Sequence, residues 1–189
     1  SGPSCLFALR FGAKARVFTE RWAVSTWAAC LPRRRAVKSS EIMTHKVLVL
    51  NGPNLNLLGV REPQIYGSET LADIEVLCQH VAESLSMRVE CSQSNDEGEM
   101  VTWIQRARHN VQGLLINAGA YTHTSIALLD ALSAAEIPAI EIHLSNIHRR
   151  EEFRHHSYIS FAARGMICGL GSYGYVLGLR AMHRILTVA

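Results

Sequence analysis

The sequence predicts an α/β fold in which a parallel sheet of five strands is covered by helices on both faces. Three observations carry this prediction. Short apolar runs of strand length alternate with longer segments whose apolar residues recur at helical spacing. The strand-like runs are five in number, and several are apolar throughout, as strands buried on both faces are. Residues 43–189 are therefore predicted to form one flavodoxin-like, doubly wound domain with the strand order 2-1-3-4-5.

The first three elements show the alternation most clearly. The run KVLVLN at 46–51 is short and apolar, which favours a buried strand. Helical spacing predicts a helix over 70–85, with Thr70 as its cap and Asp73 at the third helical position. Residues 87–95 alternate between apolar and polar, as a strand does.

The remaining elements continue the same alternation to the end of the chain. They are, in order, a helix over 97–111, a strand over 113–119, a helix over 122–136 that Pro138 ends, strands over 139–146 and 166–170, and a final helix over 175–186.

Residues 1–42 differ from the predicted domain in composition. They hold eight Lys/Arg and two Glu, a charge of +6, whereas residues 43–189 hold eleven Lys/Arg and fourteen Asp/Glu, a charge of −3. A basic, acid-poor stretch without regular periodicity is typical of transit segments. We interpret residues 1–42 as a non-core leader: a tag, an upstream translated stretch or a cleaved leader. An anion-binding arm is the alternative.

Composition argues against several classes of function. A mildly acidic domain gives no indication of nucleic-acid binding, and the longest apolar stretch of the leader is too short to span a membrane. The five cysteines are scattered without a CxxC pair, which indicates a reducing compartment. We therefore expect a cytoplasmic protein, with organellar import by the leader left open. The nine histidines include no HExxH pattern, so no metal site is expected.

Polar residues follow four of the predicted strands. These strand ends read NGPN (51–54), SQSN (92–95), NAG (117–119) and EIHLSN (141–146). Because the carboxyl ends of parallel strands meet at one edge of a sheet, these residues are predicted to form a binding site there. The loop that follows the first strand carries Arg61 and Tyr66, so it begins over the predicted site.

The residues at this edge suit acid–base chemistry on a polar substrate. A tyrosine is a weak base because its pKa is about 10, but a neighbouring arginine favours the phenolate. Tyr66 beside Arg61 could then remove a proton next to a carbonyl, and His143 could protonate a leaving hydroxyl. Donors suited to a polyhydroxylated carboxylate are Asn117, His123, Ser145 and Arg154.

Each of these residues also has a structural interpretation. Tyr66 could anchor a loop, His143 could be a core histidine, and the charged run 145–160 could be a solvated face. The stretch GLGSYG at 169–174 matches a dinucleotide-binding pattern, but too little chain follows it for the strand that such a site needs. We interpret it as close helix–strand packing or a subunit contact. The alternative functions are a nucleotide- or phosphate-binding module and a purely structural assembly protein.

Five long motifs in order resemble type II 3-dehydroquinate dehydratases, over about residues 46–182. They are NGPNLNLLGVREPQIYG, SNDEGEMVTWIQRA, INAGAYTHTSIALLDAL, IEIHLSNIHRREEFRHHSYIS and GLGSYGYVLGLRA. The resemblance implies reversible dehydration of 3-dehydroquinate to 3-dehydroshikimate by a homo-oligomer, a dodecamer of trimers, without cofactor, metal or Schiff-base lysine. Lys46, at a strand start, is the only lysine in residues 43–189. Aromatic amino acid biosynthesis and quinate catabolism both remain open as the pathway.

The resemblance also implies a role for individual residues. Tyr66 would be the base, Arg61 its activator and His143 the acid, with Glu141 orienting His143. Asp96 departs from the histidine found in many members of the family, outside the motifs that carry chemistry. The residues implied to bind substrate are Asn54, Asn117, His123, Asp130, Leu144, Ser145 and Arg154.

Overall fold

The computed structural model describes residues 45–60 and 69–188 of the chain. The predicted leader over residues 1–42 and its boundary at residue 43 lie outside these ranges. Arg61 and Tyr66 lie outside them as well, so the structure bears on their roles only through the residues around them.

Five parallel strands form one sheet in the order β2-β1-β3-β4-β5, which confirms the predicted fold. Asn51, the last residue of β1, is level with Gln93 of β2 on one side and Asn117 of β3 on the other. The polar strand ends therefore gather at one edge, as predicted. The strands are β1 (Lys46–Asn51), β2 (Arg88–Gln93), β3 (Gly113–Asn117), β4 (Ala139–His143) and β5 (Gly165–Cys168).

Four helices cover the two faces of the sheet. Alternate residues of β1 point to opposite faces: Val47 and Val49 pack beneath α1 and α4, whereas Leu48 and Leu50 pack beneath α2 and α3. Each face therefore has its own apolar core. The helices are α1 (Leu71–Ser84), α2 (Glu97–Asn110), α3 (Ile126–Ala135) and α4 (Tyr173–Thr187).

Short polar side chains determine where two of these helices begin. Thr70 and Asp73 form the predicted capping box at α1, since each accepts a hydrogen bond from the other's backbone N–H. Asp96, the departure from the family pattern, caps α2 by accepting a hydrogen bond from the Glu99 N–H at 2.7 Å. The residue that stands at 96 thus has a local role in this chain.

The helix predicted from residue 122 begins later, and that part of the prediction was wrong. Gly119–His123 form a 3-10 turn, and α3 starts only after Ser125, whose hydroxyl accepts a hydrogen bond from the Leu128 N–H at 2.9 Å. His123 therefore sits in a turn at the carboxyl edge of the sheet. Within the described ranges no helix is long and apolar enough to cross a membrane.

Candidate active site

A cleft lies at the carboxyl edge of the sheet, between the loops that follow β1, β3 and β4. The structure brings seven of the predicted site residues together around it. Asp130 is not among them, because it is exposed on α3 and does not line the cleft. The predicted residues that line it are Asn54, Asn117, His123, His143, Leu144, Ser145 and Arg154; Leu58 and Arg150 join them.

The loop after β1 is held against the end of β3. A Cβ atom on Gly52 would lie 2.5 Å from the carbonyl oxygen of Ala118, so only glycine allows this approach. Asn54 has the left-handed φ of 67° and donates its N–H to the side chain of Asn95 at 2.9 Å. Tyr121 also holds Asn95 in place, because its hydroxyl donates a hydrogen bond to the Asn95 carbonyl at 2.8 Å.

A buried polar chain supports Asn117 from one face of the sheet. The Asn117 Nδ2 group donates to the hydroxyl of Tyr175 at 2.9 Å, and that hydroxyl donates to Asn51 Oδ1 at 2.7 Å. Burial raises the pKa of Tyr175 above its ordinary value, so its hydroxyl stays protonated and can donate. The chain fixes which end of the Asn117 carboxamide is oxygen and which is nitrogen.

A second buried network supports His143 from the other face. Nε2 of His143 lies 2.8 Å from Oε1 of Glu141, whose side chain is fully buried at the end of β4. Burial acts to raise the pKa of Glu141, but hydrogen bonds from His143 and from two serines outweigh it and leave that pKa below its ordinary value. Glu141 is therefore an anion that accepts a hydrogen bond from the Nε2–H group. Nδ1 is the ring nitrogen that remains available to a ligand.

His123 lies beside His143 with its ring stacked at a centroid distance of 6.4 Å. Burial lowers the pKa of His123, and the neighbouring His143 and Arg154 lower it further, against the effect of its hydrogen bond to the His156 carbonyl. The ring is thus held neutral. Because Nδ1 faces that carbonyl at 2.7 Å, Nδ1 carries the proton and Nε2 can accept one from a hydroxyl.

The segment after β4 adds cationic groups to the cleft. Arg154 Nε lies 2.9 Å from Glu151 Oε2, and Arg150 Nε lies 3.6 Å from the same oxygen. Both arginines line the cleft. Their two positive charges lie beside the one negative charge of the Glu151 carboxylate. This side of the cleft therefore suits an anionic ligand.

The GLGSYG turn supports the floor of this cleft. Gly169 donates its N–H to the carbonyl of His143 at 3.2 Å, and Gly171 donates to the carbonyl of Leu144 at 3.0 Å. Gly169 has a φ of 83°, and a Cβ there would lie 2.9 Å from Cβ of Asn146. Two amides of this turn thus bind the turn after β4, which fits the close-packing interpretation better than a phosphate site.

Four residues that hydrogen-bond to Asn117 or Glu141 beneath the cleft were not predicted from the sequence. They sit in unremarkable contexts, and their partners are distant in sequence: 58 positions separate Asn117 from Tyr175. The one available signal was the group of hydroxyl residues at the end of the charged run 145–160. The missed residues are Thr122, Ser157, Ser160 and Tyr175.

Together these groups can bind a polar anion and move protons on it. The cleft offers a histidine with one nitrogen fixed by a buried carboxylate, a neutral histidine, an oriented carboxamide and two arginines. In the part of the chain that the structure describes, no group of three or more His, Cys, Asp or Glu could hold a metal ion.

Comparison with known proteins places the chain among relatives of one kind. Residues 45–183 match the family model described as Dehydroquinase class II. A 3-dehydroquinate dehydratase of Variovorax paradoxus is 58% identical over 142 residues, covering 72% of this chain and 97% of the relative. One of Methylobacterium radiotolerans is 57% identical over 143 residues, covering 76% and 96%. The crystal structure of type II dehydroquinase from Butyrivibrio crossotus superposes with a TM-score of 0.72 at 44% identity, covering 74% and 97%.

Proposed function

This chain belongs to the class II dehydroquinase family, and we propose the roles by which its residues dehydrate 3-dehydroquinate reversibly to 3-dehydroshikimate. The observation that carries the proposal is the His143–Glu141 pair, 2.8 Å apart, at a cleft lined by donors for hydroxyl and carboxylate groups. Such a pair offers one imidazole nitrogen to a leaving hydroxyl.

The first step of the proposed mechanism is removal of a proton from the carbon beside the ketone. Tyr66, as a phenolate favoured by Arg61, takes this proton, and the electron pair of the C–H bond becomes an enolate. Both residues lie outside the described ranges. Support comes from Leu58, which lines the cleft just before the loop that carries them.

The second step is loss of the hydroxyl group. The enolate collapses to form a carbon–carbon double bond conjugated with the ketone as the C–O bond breaks. His143, protonated on both ring nitrogens for this step, gives up the proton on Nδ1, so that the hydroxyl leaves as water, while Nε2 keeps its proton and its hydrogen bond to Glu141. Proton transfer from a positioned side chain contributes roughly 10²–10⁴-fold to such reactions.

The other predicted residues bind the substrate. Arg154 and the turn at Leu144–Ser145 suit the carboxylate, since they lie on the cationic side of the cleft. His123, held neutral with Nε2 available, and the oriented amide of Asn117 suit hydroxyl groups. Asn54 closes the side formed by the loop after β1.

Assembly is the remaining part of the proposal. Asp130 is exposed on α3, outside the cleft of this chain, so its proposed contact with substrate is assigned to the site of a neighbouring copy. This supports a homo-oligomer, proposed as a dodecamer of trimers, and a monomer in light scattering would contradict it. We place the enzyme in the cytoplasm, in aromatic amino acid biosynthesis or quinate catabolism.

Substitution of the two loop residues tests the proposed roles. Tyr66→Phe and Arg61→Ala should each lower kcat by at least about 100-fold, while the circular dichroism spectrum stays that of the unaltered protein. Tyr173→Phe is a matched control, because Tyr173 is exposed on α4. Turnover near the unaltered rate in both variants would rule out the assigned base and activator.

A further inference from the structure

The carboxylate of Glu141 is bonded by far more groups than the one histidine it orients. Oε1 receives His143 Nε2 at 2.8 Å, Ser157 Oγ at 2.8 Å and Thr122 Oγ1 at 3.3 Å. Oε2 receives Ser160 Oγ at 2.5 Å and Ser157 Oγ at 3.0 Å. Both oxygens of a fully buried carboxylate are thus occupied by donors.

These donors offset the cost of burying a charge. An ionised carboxylate in a buried site takes up a proton unless hydrogen bonds hold the charged form. Within the described residues, Oε2 accepts hydrogen bonds from the two serine hydroxyls, whereas Oε1 accepts one from His143 as well. The hydroxyl groups of Ser157 and Ser160 therefore act together with His143 to hold the carboxylate in its ionised form.

The serines lie in a segment that also holds the other ring of the site. Ser157 Oγ accepts a hydrogen bond from the Ser160 N–H at 3.0 Å, and the Tyr158 N–H binds the Thr122 carbonyl at 2.9 Å. The neighbouring carbonyl of His156 binds His123. Neither serine lines the cleft, so neither is placed to touch the substrate directly.

We propose that Ser157 and Ser160 are positioning residues, which keep Glu141 ionised with Oε1 turned to His143 so that Nδ1 is presented to the leaving hydroxyl. This rests on the acid role proposed above for His143. If Glu141 takes up a proton, it no longer accepts from Nε2, and the ring loses its fixed orientation. The titratable groups that face this carboxylate are His143 and, beside it, His123, on which Arg154 also acts.

The test is the pH profile of kcat for 3-dehydroquinate in Ser160→Ala and Ser157→Ala. Loss of a donor to the anion favours protonation of Glu141, so the acidic fall in kcat should move to higher pH by about one unit or more, with KM little changed. Ser160→Thr keeps a hydroxyl and should restore the profile. Ser133→Ala is the control, since that exposed hydroxyl binds only the Leu129 carbonyl of α3.

A second readout does not depend on turnover. In the ligand-free protein, the ¹H and ¹⁵N NMR shifts of the His143 Nε2–H group should change as Glu141 takes up a proton, and in Ser160→Ala this change should occur at a higher pH than in the unaltered protein. If the unaltered protein does not convert 3-dehydroquinate, the proposed function is contradicted. The NMR signal of His143 then tests the positioning roles by itself. An unshifted acidic limb together with an unchanged His143 signal would overturn the proposal.

Discussion

The Asn117 amide and the His143 ring at this cleft owe their orientation to side chains that lie beneath them. Two buried networks do this, one on each face of the sheet: Tyr175 holds Asn117, and Glu141 holds His143. The polar groups that face the ligand are therefore fixed before a ligand binds, an arrangement that favours catalysis because little reorganisation is needed.

The sequence identified most of the residues that face the cleft, and Glu141 beneath His143, but it did not identify Tyr175 or the hydroxyl groups that bond Glu141. Strand ends and motifs point to Asn117 and His143, because position on a strand can be predicted from local alternation. Tyr175 reaches Asn51 across 124 positions, and Ser160 reaches Glu141 across 19. Such pairs are set by how helices and turns pack on the sheet, and no local pattern contains that information.

Removing the hydroxyl of Tyr175 tests the network on the Asn117 face. Tyr175→Phe leaves Asn117 Nδ2 and Asn51 Oδ1 buried without that partner, which should lower the free energy of unfolding by about 1–3 kcal/mol. KM should rise because the carboxamide can rotate. Urea denaturation and steady-state kinetics measure the two effects, with Tyr173→Phe on the same helix as the control. An unchanged KM would show that Asn117 is oriented by other contacts.

At the scale of elements, periodicity predicted every strand and helix but misplaced the start of α3. Thr122 and His123 belong to an apolar, helix-like stretch, yet they form a 3-10 turn because Ser125 caps the helix three residues later. A cap of this kind competes with local helical preference. The consequence is functional, because the turn places His123 at the cleft instead of on a helix surface.

A substitution at Gly52 tests how closely the residues that follow β1 and β3 approach each other. Alanine there would place Cβ 2.5 Å from the Ala118 carbonyl oxygen, and overpacking of this kind costs about 1–3 kcal/mol. Gly52→Ala should lose that much stability in urea denaturation and also lose activity, since the loop with Asn54 must move. Gly165→Ala is the control, because a Cβ there meets nothing within 4 Å. Equal stability of the two variants would contradict the close approach.

At the scale of the whole molecule, the parallel order of the sheet places the site. The strand order β2-β1-β3-β4-β5 could be predicted, and with it the edge where ligand-binding groups gather. Asp130 is the predicted site residue that the fold does not bring to this edge, since it is exposed on α3 and does not line the cleft.

The buried Glu141 carboxylate should make the stability of the protein depend on pH. Its pKa is lowered from about 4.5 in the folded state, so its ionised form stabilises the fold above that pH, and this contribution is lost as pH falls through the lower folded value. The difference in unfolding free energy between the protein and Glu141→Gln should therefore be constant near neutral pH and shrink below about pH 4.5.

Denaturant unfolding measured from pH 7 downwards would show this trend. Glu83→Gln, at an exposed position of α1, controls for the loss of a surface carboxylate. If the difference in unfolding free energy between the protein and Glu141→Gln instead grows as the pH falls, Glu141 is protonated in the folded state. That result would contradict the hydrogen bonds described around its carboxylate.

The most direct test of the central claim is ultraviolet absorbance after 3-dehydroquinate is added to the purified protein. Parallel samples receive a chelator or are treated with borohydride in the presence of substrate. We expect the absorbance of the conjugated product to grow at the same rate in all samples, because the proposed chemistry uses no metal and Lys46, the only lysine in residues 43–189, begins β1 and pairs with Glu90. A folded protein that produces no such absorbance, or one that borohydride or the chelator inactivates, would contradict the account.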